Sequence, residues 1–208
     1  MNNNEHDLKR YHRNSPIKEF DLNQTMYSLV KNESKNDLDL SATSFMGNDM
    51  TYEELMISSD KLAKAFSNAG VKEGDNVSIL TISMPIVQQS LLSLSKIGAT
   101  MSWIDLRAKE KDLIKYINNS DCKTLIVFED MLPLIESIID ETDVNKVIVS
   151  SPKDYLSPIV KLLATLKDKK DGKKVKMPDD KRFVRFNDFI KNIVDSETLT
   201  PAKFEKDR

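Results

Sequence analysis

The amino-acid sequence predicts an α/β protein: a mostly parallel sheet flanked by helices, with a small peripheral α+β extension. Residues 51 to 128 pass from helical to strand periodicity three times in succession, the pattern of repeated β-α units. A turn signal stands at every junction, as at Gly70, Glu73-Gly74-Asp75, Gly98 and Asn118-Asn119-Ser120-Asp121. The strand segments, such as Leu125-Ile126-Val127-Phe128, are short apolar runs of the kind a sheet covered by helices requires.

Residues 1–15 are rich in Asn and charge with little to bury, and are expected to be a disordered leader. Residues 16–195 are expected to form the folded unit and 196–208 a polar tail that frays. Thr25-Met26-Tyr27-Ser28-Leu29-Val30 predicts a short helix. Leu38 to Phe45 alternates as a strand, and Gly47-Asn48-Asp49 supplies a tight turn after it. Thr51 starts the first long helix. Its hydroxyl can cap the free amides, and Glu54 reaches back to complete a capping box. Glu53 and Glu54 are adjacent carboxylates, which a helix first turn explains without catalysis. Tyr52, Leu55, Leu62, Ala63, Phe66 and Ala69 share one stripe, with Ile57 on the opposite face. Gly70 ends the helix.

Val77 to Ile82 then reads as a buried strand. Pro85 suits the first turn of the next helix, where its missing N–H costs nothing. Ile86, Val87, Leu91, Leu94 and Ile97 make that helix's core stripe, Leu92 sits off it, and Gly98 stops it. Ala99 to Ile104 follows as a strand, and Leu113, Ile114, Tyr116 and Ile117 mark a third helix. A strand runs from Lys123 to Phe128. Asp130 is placed to cap a fourth helix carrying Leu134, Ile135, Ile138 and Ile139, and Val147-Ile148-Val149 is another short buried strand. Beyond Pro158 the pattern weakens. Ile159 to Leu166 reads as helix, 167–176 as a lysine-rich loop, Phe183-Val184-Arg185-Phe186 as an exposed strand, and Phe189 to Val194 as a last short helix.

A chain of 208 residues can bury one good core. Its net charge of −2 gives no electrostatic case for nucleic acid. The single cysteine, Cys122, excludes an internal disulfide and suits a reducing compartment, so a cytoplasmic location is expected. The opening residues lack the apolar run of a signal peptide, and no apolar stretch reaches membrane-spanning length.

Candidate chemistry is sparse. A phosphate-gripping loop needs glycines so that backbone amides can approach the anion. Gly47, Gly70, Gly74, Gly98 and Gly172 each stand beside a turn or helix end, and none belongs to a G-x-G-x-x-G or G-x-x-x-x-G-K-[ST] pattern. Cys122 would need a histidine as base to act as a nucleophile, and both histidines, His6 and His12, lie in the leader. Cys122 is therefore read as structural. No catalytic, cofactor-binding or metal-binding residue is assigned. Between Lys167 and Lys176 six lysines stand against two aspartates, a charge able to attract phosphate, coenzyme A or an anionic surface. A solvated loop is the plainer reading. Ser83-Met84-Pro85 falls where a strand ends and a helix begins, the usual ligand edge of a parallel sheet, though packing accounts for it without a glycine there.

The order of motifs resembles the N-terminal part of an adenylate-forming acyl-CoA synthetase, the AMP-binding ligase family that includes fatty-acyl-CoA ligases. The segments that carry the resemblance are Thr51-Tyr52-Glu53-Glu54-Leu55, Leu62 to Phe66, Gly70-Val71-Lys72-Glu73-Gly74-Asp75-Asn76-Val77, Ser83-Met84-Pro85, Lys96-Ile97-Gly98-Ala99, Leu113 to Ser120 and Lys123-Thr124-Leu125-Ile126. In that family they read T-Y-x-E-L, then G-[VI]-x-x-G-D-x-V, N-[ST]-P and G-A, in the same order. Ser83-Met84 departs from the family's Asn-Ser or Asn-Thr, and Ile104-Asp105-Leu106-Arg107 replaces its Asn-Pro pair. These departures bear on substrate subtype rather than fold.

The resemblance implies a two-step ligase that uses ATP, Mg and coenzyme A to turn a carboxylic acid, foremost a fatty acid, into a thioester. The family's ATP-binding loop lies after the region covered here, so the chain is expected to be an N-terminal fragment, inactive alone, whose partner is the remainder of the ligase. The alternative is a non-catalytic module with the same fold that binds a partner protein through apolar surface at Ile57 and Leu92, and self-association through exposed apolar surface is also expected. A third and weaker option is a flavodoxin-like domain for a small phosphate ligand. Neither nucleic acid nor a membrane is an expected partner.

Overall fold

The structure, a computed structural model, describes residues 23–170, 175–191 and 199–204. The expected leader with His6 and His12, residues 171–174 of the lysine-rich segment, the end of the last predicted helix and most of the tail lie outside the described residues.

The peripheral α+β part comes first. Helix α1 (Met26–Glu33) is capped by Thr25, whose hydroxyl accepts the Ser28 N–H at 3.2 Å. Strands β1 (Ser41–Phe45) and β2 (Asn48–Thr51) form an antiparallel hairpin. Its turn is Met46-Gly47, both left-handed with φ of 50° and 80°, the geometry that matches strand twist in a two-residue loop. The turn thus sits one residue earlier than expected, and Asn48 and Asp49 already belong to β2.

Helix α2 (Tyr52–Asn68) begins with the capping box its sequence announces. The Glu54 N–H donates to the Thr51 hydroxyl at 3.2 Å, and the Thr51 N–H donates to the Glu54 carboxylate at 2.9 Å. Replacing Thr51 with alanine is expected to cost about 1 kcal/mol, the usual value of an N-cap. Paired urea denaturations of the wild type and the variant check this, and an unchanged midpoint would contradict it.

The sheet follows in five strands. They are β3 (Asn76–Leu80), β4 (Thr100–Trp103), β5 (Thr124–Phe128), β6 (Lys146–Ser150) and β7 (Phe183–Arg185). Between and after them lie α3 (Pro85–Ile97), α4 (Glu110–Asn119), α5 (Leu132–Ile138), α6 (Pro158–Lys170) and α7 (Phe186–Lys191). Every pairing is parallel, in the order β4-β3-β5-β6-β7. Side chains alternate across the middle strands, as the pleat requires. Leu125 and Val127 of β5 pack with Leu113 and Ile117 of α4 and with Leu132, Ile135 and Ile138 of α5. Ile126 packs on the other face with Phe66 of α2, Ile86 and Leu94 of α3, and Phe189 of α7. The result is three layers, helix over sheet over helix.

Several expectations change in this setting. Leu91 is 36% exposed and Leu92 only 4%, the reverse of the assignment from periodicity. Helix α3 is buried on two sides, and Leu92 meets Tyr27 of α1 and Leu55 of α2 in a separate outer cluster. Asp130 does not cap a helix: a 3-10 turn over Glu129–Met131 intervenes, and α5 starts after Met131 with no side-chain cap. The segment Phe183-Val184-Arg185-Phe186 is not an exposed strand throughout. Strand β7 ends at Arg185, which is exposed, while Phe183 enters one core face and Phe186, already in α7, the other. Residues 167–170 of the lysine-rich segment continue α6 rather than forming a loop. In the tail, the Ala202 N–H donates to the Lys96 carbonyl at 2.8 Å, so this stretch docks on the end of α3. Among the described residues no helix is long and apolar enough to cross a membrane.

Candidate functional site

Strand order assigns the place where a ligand would bind. The chain moves outward from β3 to β4, then crosses back beyond β3 to β5, β6 and β7. In a parallel sheet of this order the crevice opens outside the carboxyl ends of the two strands where direction reverses, here β3 and β5. The order also matches the flavodoxin-like winding, which puts the third option's phosphate site at the same crevice.

On the β3 side stand Thr81, Ile82 and Ser83. Thr81 is 1% exposed, and its hydroxyl oxygen finds no hydrogen-bond partner. Met84 then occupies the N-cap of α3 in extended backbone, without a side-chain cap, and Pro85 takes the first turn. Met84 itself is buried in the core beneath these amides and offers them no acceptor. Beside this end lies that of β4, where Trp103 is half exposed and Arg107 pairs with Asp105 at 2.7 Å. The guanidinium lowers the Asp105 carboxyl to about 2. Thr81, Ser83, Trp103, Leu106 and Arg107 line an open cavity of about 540 Å³.

The ends of β5 and β6 carry a second polar group that sequence reading missed. Glu129, buried directly after β5, accepts a hydrogen bond from the Ser151 hydroxyl, and the Lys153 amine lies 4.0 Å away. Asp154 accepts the Ser151 N–H at 2.8 Å and the Asn187 side-chain amide at 2.6 Å. The Tyr155 hydroxyl donates to Gln89 of α3 at 2.7 Å, and its ring packs on Phe186 and Phe45. Their shared signal was position: each follows a predicted strand at its carboxyl end.

Burial pushes the Asp154 carboxyl up, with the Glu129 charge adding to it against the Ser151 N–H. A raised folded value means that the contribution of Asp154 to stability is full below the ordinary aspartate range and is lost as pH rises through that folded value. The variant Asp154→Asn cannot ionise. Its stability relative to wild type is therefore expected to improve as pH climbs from about 4 to about 7. Urea titrations at several pH values read the slope, and a relative loss with rising pH would reverse the assignment.

Other residues singled out by sequence stand apart. Cys122 is buried, and its thiol donates to the Thr124 carbonyl at 2.8 Å while burial pushes its ionisation up, the opposite of an activated nucleophile. Ile57 is 49% exposed and borders a different cavity of about 350 Å³ with Phe45, Met50, Pro85 and Tyr155. With Leu92 buried, Ile57 alone is left of the surface residues named for an interaction module. Gly70, Gly74 and Gly98 have positive φ and precede β3 and β4, at the amino edge of the sheet. No described glycine stands at the crevice. The residues present therefore do not fit a nucleotide triphosphate, which needs a run of amides unobstructed by side chains. Among the described residues no three His, Cys, Asp or Glu side chains gather as a metal site.

The family model described as AMP-binding enzyme matches residues 30–200. A long-chain-fatty-acid–CoA ligase of Bacillus subtilis is 23% identical over 134 residues, covering 64% of this chain and 24% of that protein. The mitochondrial acetyl-coenzyme A synthetase 2-like protein of Homo sapiens is 31% identical over 83 residues, 40% of this chain and 12% of its own. The chain thus spans about a quarter or less of these relatives. In fold it is similar to an anthranilate CoA ligase solved with anthranoyl-AMP. The TM-score is 0.70 at 19% identity, over 90% of this chain and 31% of that one. A benzoate CoA ligase from Burkholderia xenovorans gives a TM-score of 0.62 at 12% identity, over 88% of this chain and 30% of that one.

Proposed function

The chain belongs to the AMP-binding enzyme family, and from that premise we propose that it is the N-terminal portion of an acid–thiol ligase. The activity proposed for the whole polypeptide is activation of a carboxylic acid with ATP and Mg, followed by thioester formation with coenzyme A. The observation that carries this reading is the family match over residues 30–200. The share of these 208 residues is structural: the α/β/α layers and a crevice edge that other segments complete with a nucleotide-gripping loop. On their own they are inactive. The acid proposed is a long-chain fatty acid, supported by the Bacillus subtilis relative, whose match covers 64% of this chain.

The test is carboxylate-dependent exchange of pyrophosphate into ATP. It is run on the 208-residue chain and on the polypeptide extended along its reading frame, with a long-chain fatty acid, acetate or benzoate. The expected result is no exchange from the chain alone and exchange from the extended polypeptide, greatest with the fatty acid. Exchange by the chain alone would overturn its structural role. Greater exchange with acetate or benzoate would overturn the fatty acid, and silence of the extended polypeptide with all three would overturn the ligase.

A further inference from the structure

Helix α6 presents an apolar stripe to solvent. Ile159, Leu162, Leu163 and Leu166 are spaced to fall on one helical face, and they are 75%, 61%, 60% and 53% exposed. Such a stripe ordinarily faces a core, yet here Ala164 is the one partly buried residue among residues 158–167 and the rest are exposed. Four neighbouring large aliphatic side chains form a contiguous patch of the kind that marks an interaction surface.

The charges around the stripe select the partner. Lys167 follows Leu163 by one turn and Lys170 follows Leu166 by one turn, so exposed lysines close the stripe at its carboxyl end. Lys161 is exposed on the first turns, and the helix carries four lysines against one acidic residue, Asp168. Long lysine stems can lie along apolar surface while their ammonium groups reach outward. An aliphatic stripe edged by lysines suits the boundary between acyl chains and anionic headgroups, where both contributions act together. At 13 residues the helix is too short to span, so it would lie in the plane of the surface.

We propose that α6 docks this protein on anionic lipid membranes, with Ile159, Leu162, Leu163 and Leu166 inserted and Lys167 and Lys170 on the headgroups. The proposal stands apart from the ligase reading, since it needs no nucleotide or acid.

Flotation of the 208-residue chain with vesicles of phosphatidylcholine alone or mixed with phosphatidylglycerol tests it. Binding is expected to the mixed vesicles, to weaken with added salt, and to be feeble on phosphatidylcholine. The variant Leu162→Ser/Leu166→Ser should lower binding by about tenfold or more. Lys167→Glu/Lys170→Glu should lower it by a similar factor. Both should keep the wild-type melting temperature, since the four side chains are exposed. No binding to the mixed vesicles, equal binding to neutral ones, or binding unchanged by either variant would overturn the proposal. So would a dimer in ultracentrifugation that excludes vesicles, which makes a second copy the occupant. Loss of vesicle binding in the polypeptide extended along its reading frame would likewise overturn it, because the chain's own continuation would then cover the stripe.

Discussion

Truncating Phe66 to alanine is expected to remove about 3–5 kcal/mol of stability, the range for deleting a large aromatic from a closed core. Phe66 is fully buried on α2, facing the sheet layer that includes Ile79, Ile126 and Ile148. Its ring centroid lies 5.6 Å from that of Phe189 on α7. The loss therefore combines transfer of the ring, the void it leaves, and an aromatic contact with its own preferred geometry. That void opens between a helix near the start of the fold and one near its end. A domain of this size holds about 5–15 kcal/mol in total, so a large part of its margin goes. Urea denaturation followed by circular dichroism measures the change. A loss below about 1 kcal/mol would mean that α7 does not seat on α2 as described. Phe189→Ala, at the more exposed rim of the same contact, should cost less.

The fold was legible where local chemistry and tertiary structure demand the same residues. Thr51 and Glu54 write a helix start in the sequence and make it in space, and Gly98 stops α3 with φ of 84°. The strands around Val77, Leu125 and Val147 read as buried because both sheet faces are covered. What was not legible depends on which neighbour covers which face. A single stripe was expected on α3, but that helix lies between the sheet and α1, so Leu92 turns inward toward Tyr27. Periodicity marks an apolar face and is silent on whether anything packs there. That is why α2 and α6 look alike in sequence while one stripe is core and the other meets solvent. The crevice was visible only in outline: Ser83-Met84-Pro85 could be placed at a strand end, but pairing Glu129 with Ser151 required knowing that β5 and β6 are neighbours.

Removing the Asp60 carboxylate is expected to cost more than removing the lysine it holds, though both belong to one ion pair. Lys96 is 5% exposed, its amine lies 2.8 Å from Asp60, and it sits 4.9 Å from the centre of the Tyr27 ring. Tyr27, 1% exposed, shares this environment, and burial followed by the neighbouring Asp60 carboxylate pushes its ionisation well above the ordinary tyrosine range. One half-exposed carboxylate thus stands beside two buried polar groups. With Asp60→Ala, an ammonium and a hydroxyl are left in the interior without it. A fully buried pair broken in this way costs about 3–5 kcal/mol, and since Asp60 is 42% exposed, water can enter and about 2–4 kcal/mol is expected. Lys96→Met keeps the volume of the stem and leaves Asp60 free to hydrate beside Tyr27, so about 1 kcal/mol is expected. The double variant should then fall well short of the sum, because the buried ammonium that makes Asp60→Ala costly is already gone. Denaturant melts of the three variants decide the matter. If Lys96→Met proves the more damaging single change, the pair acts through packing of the lysine stem and the carboxylate is incidental.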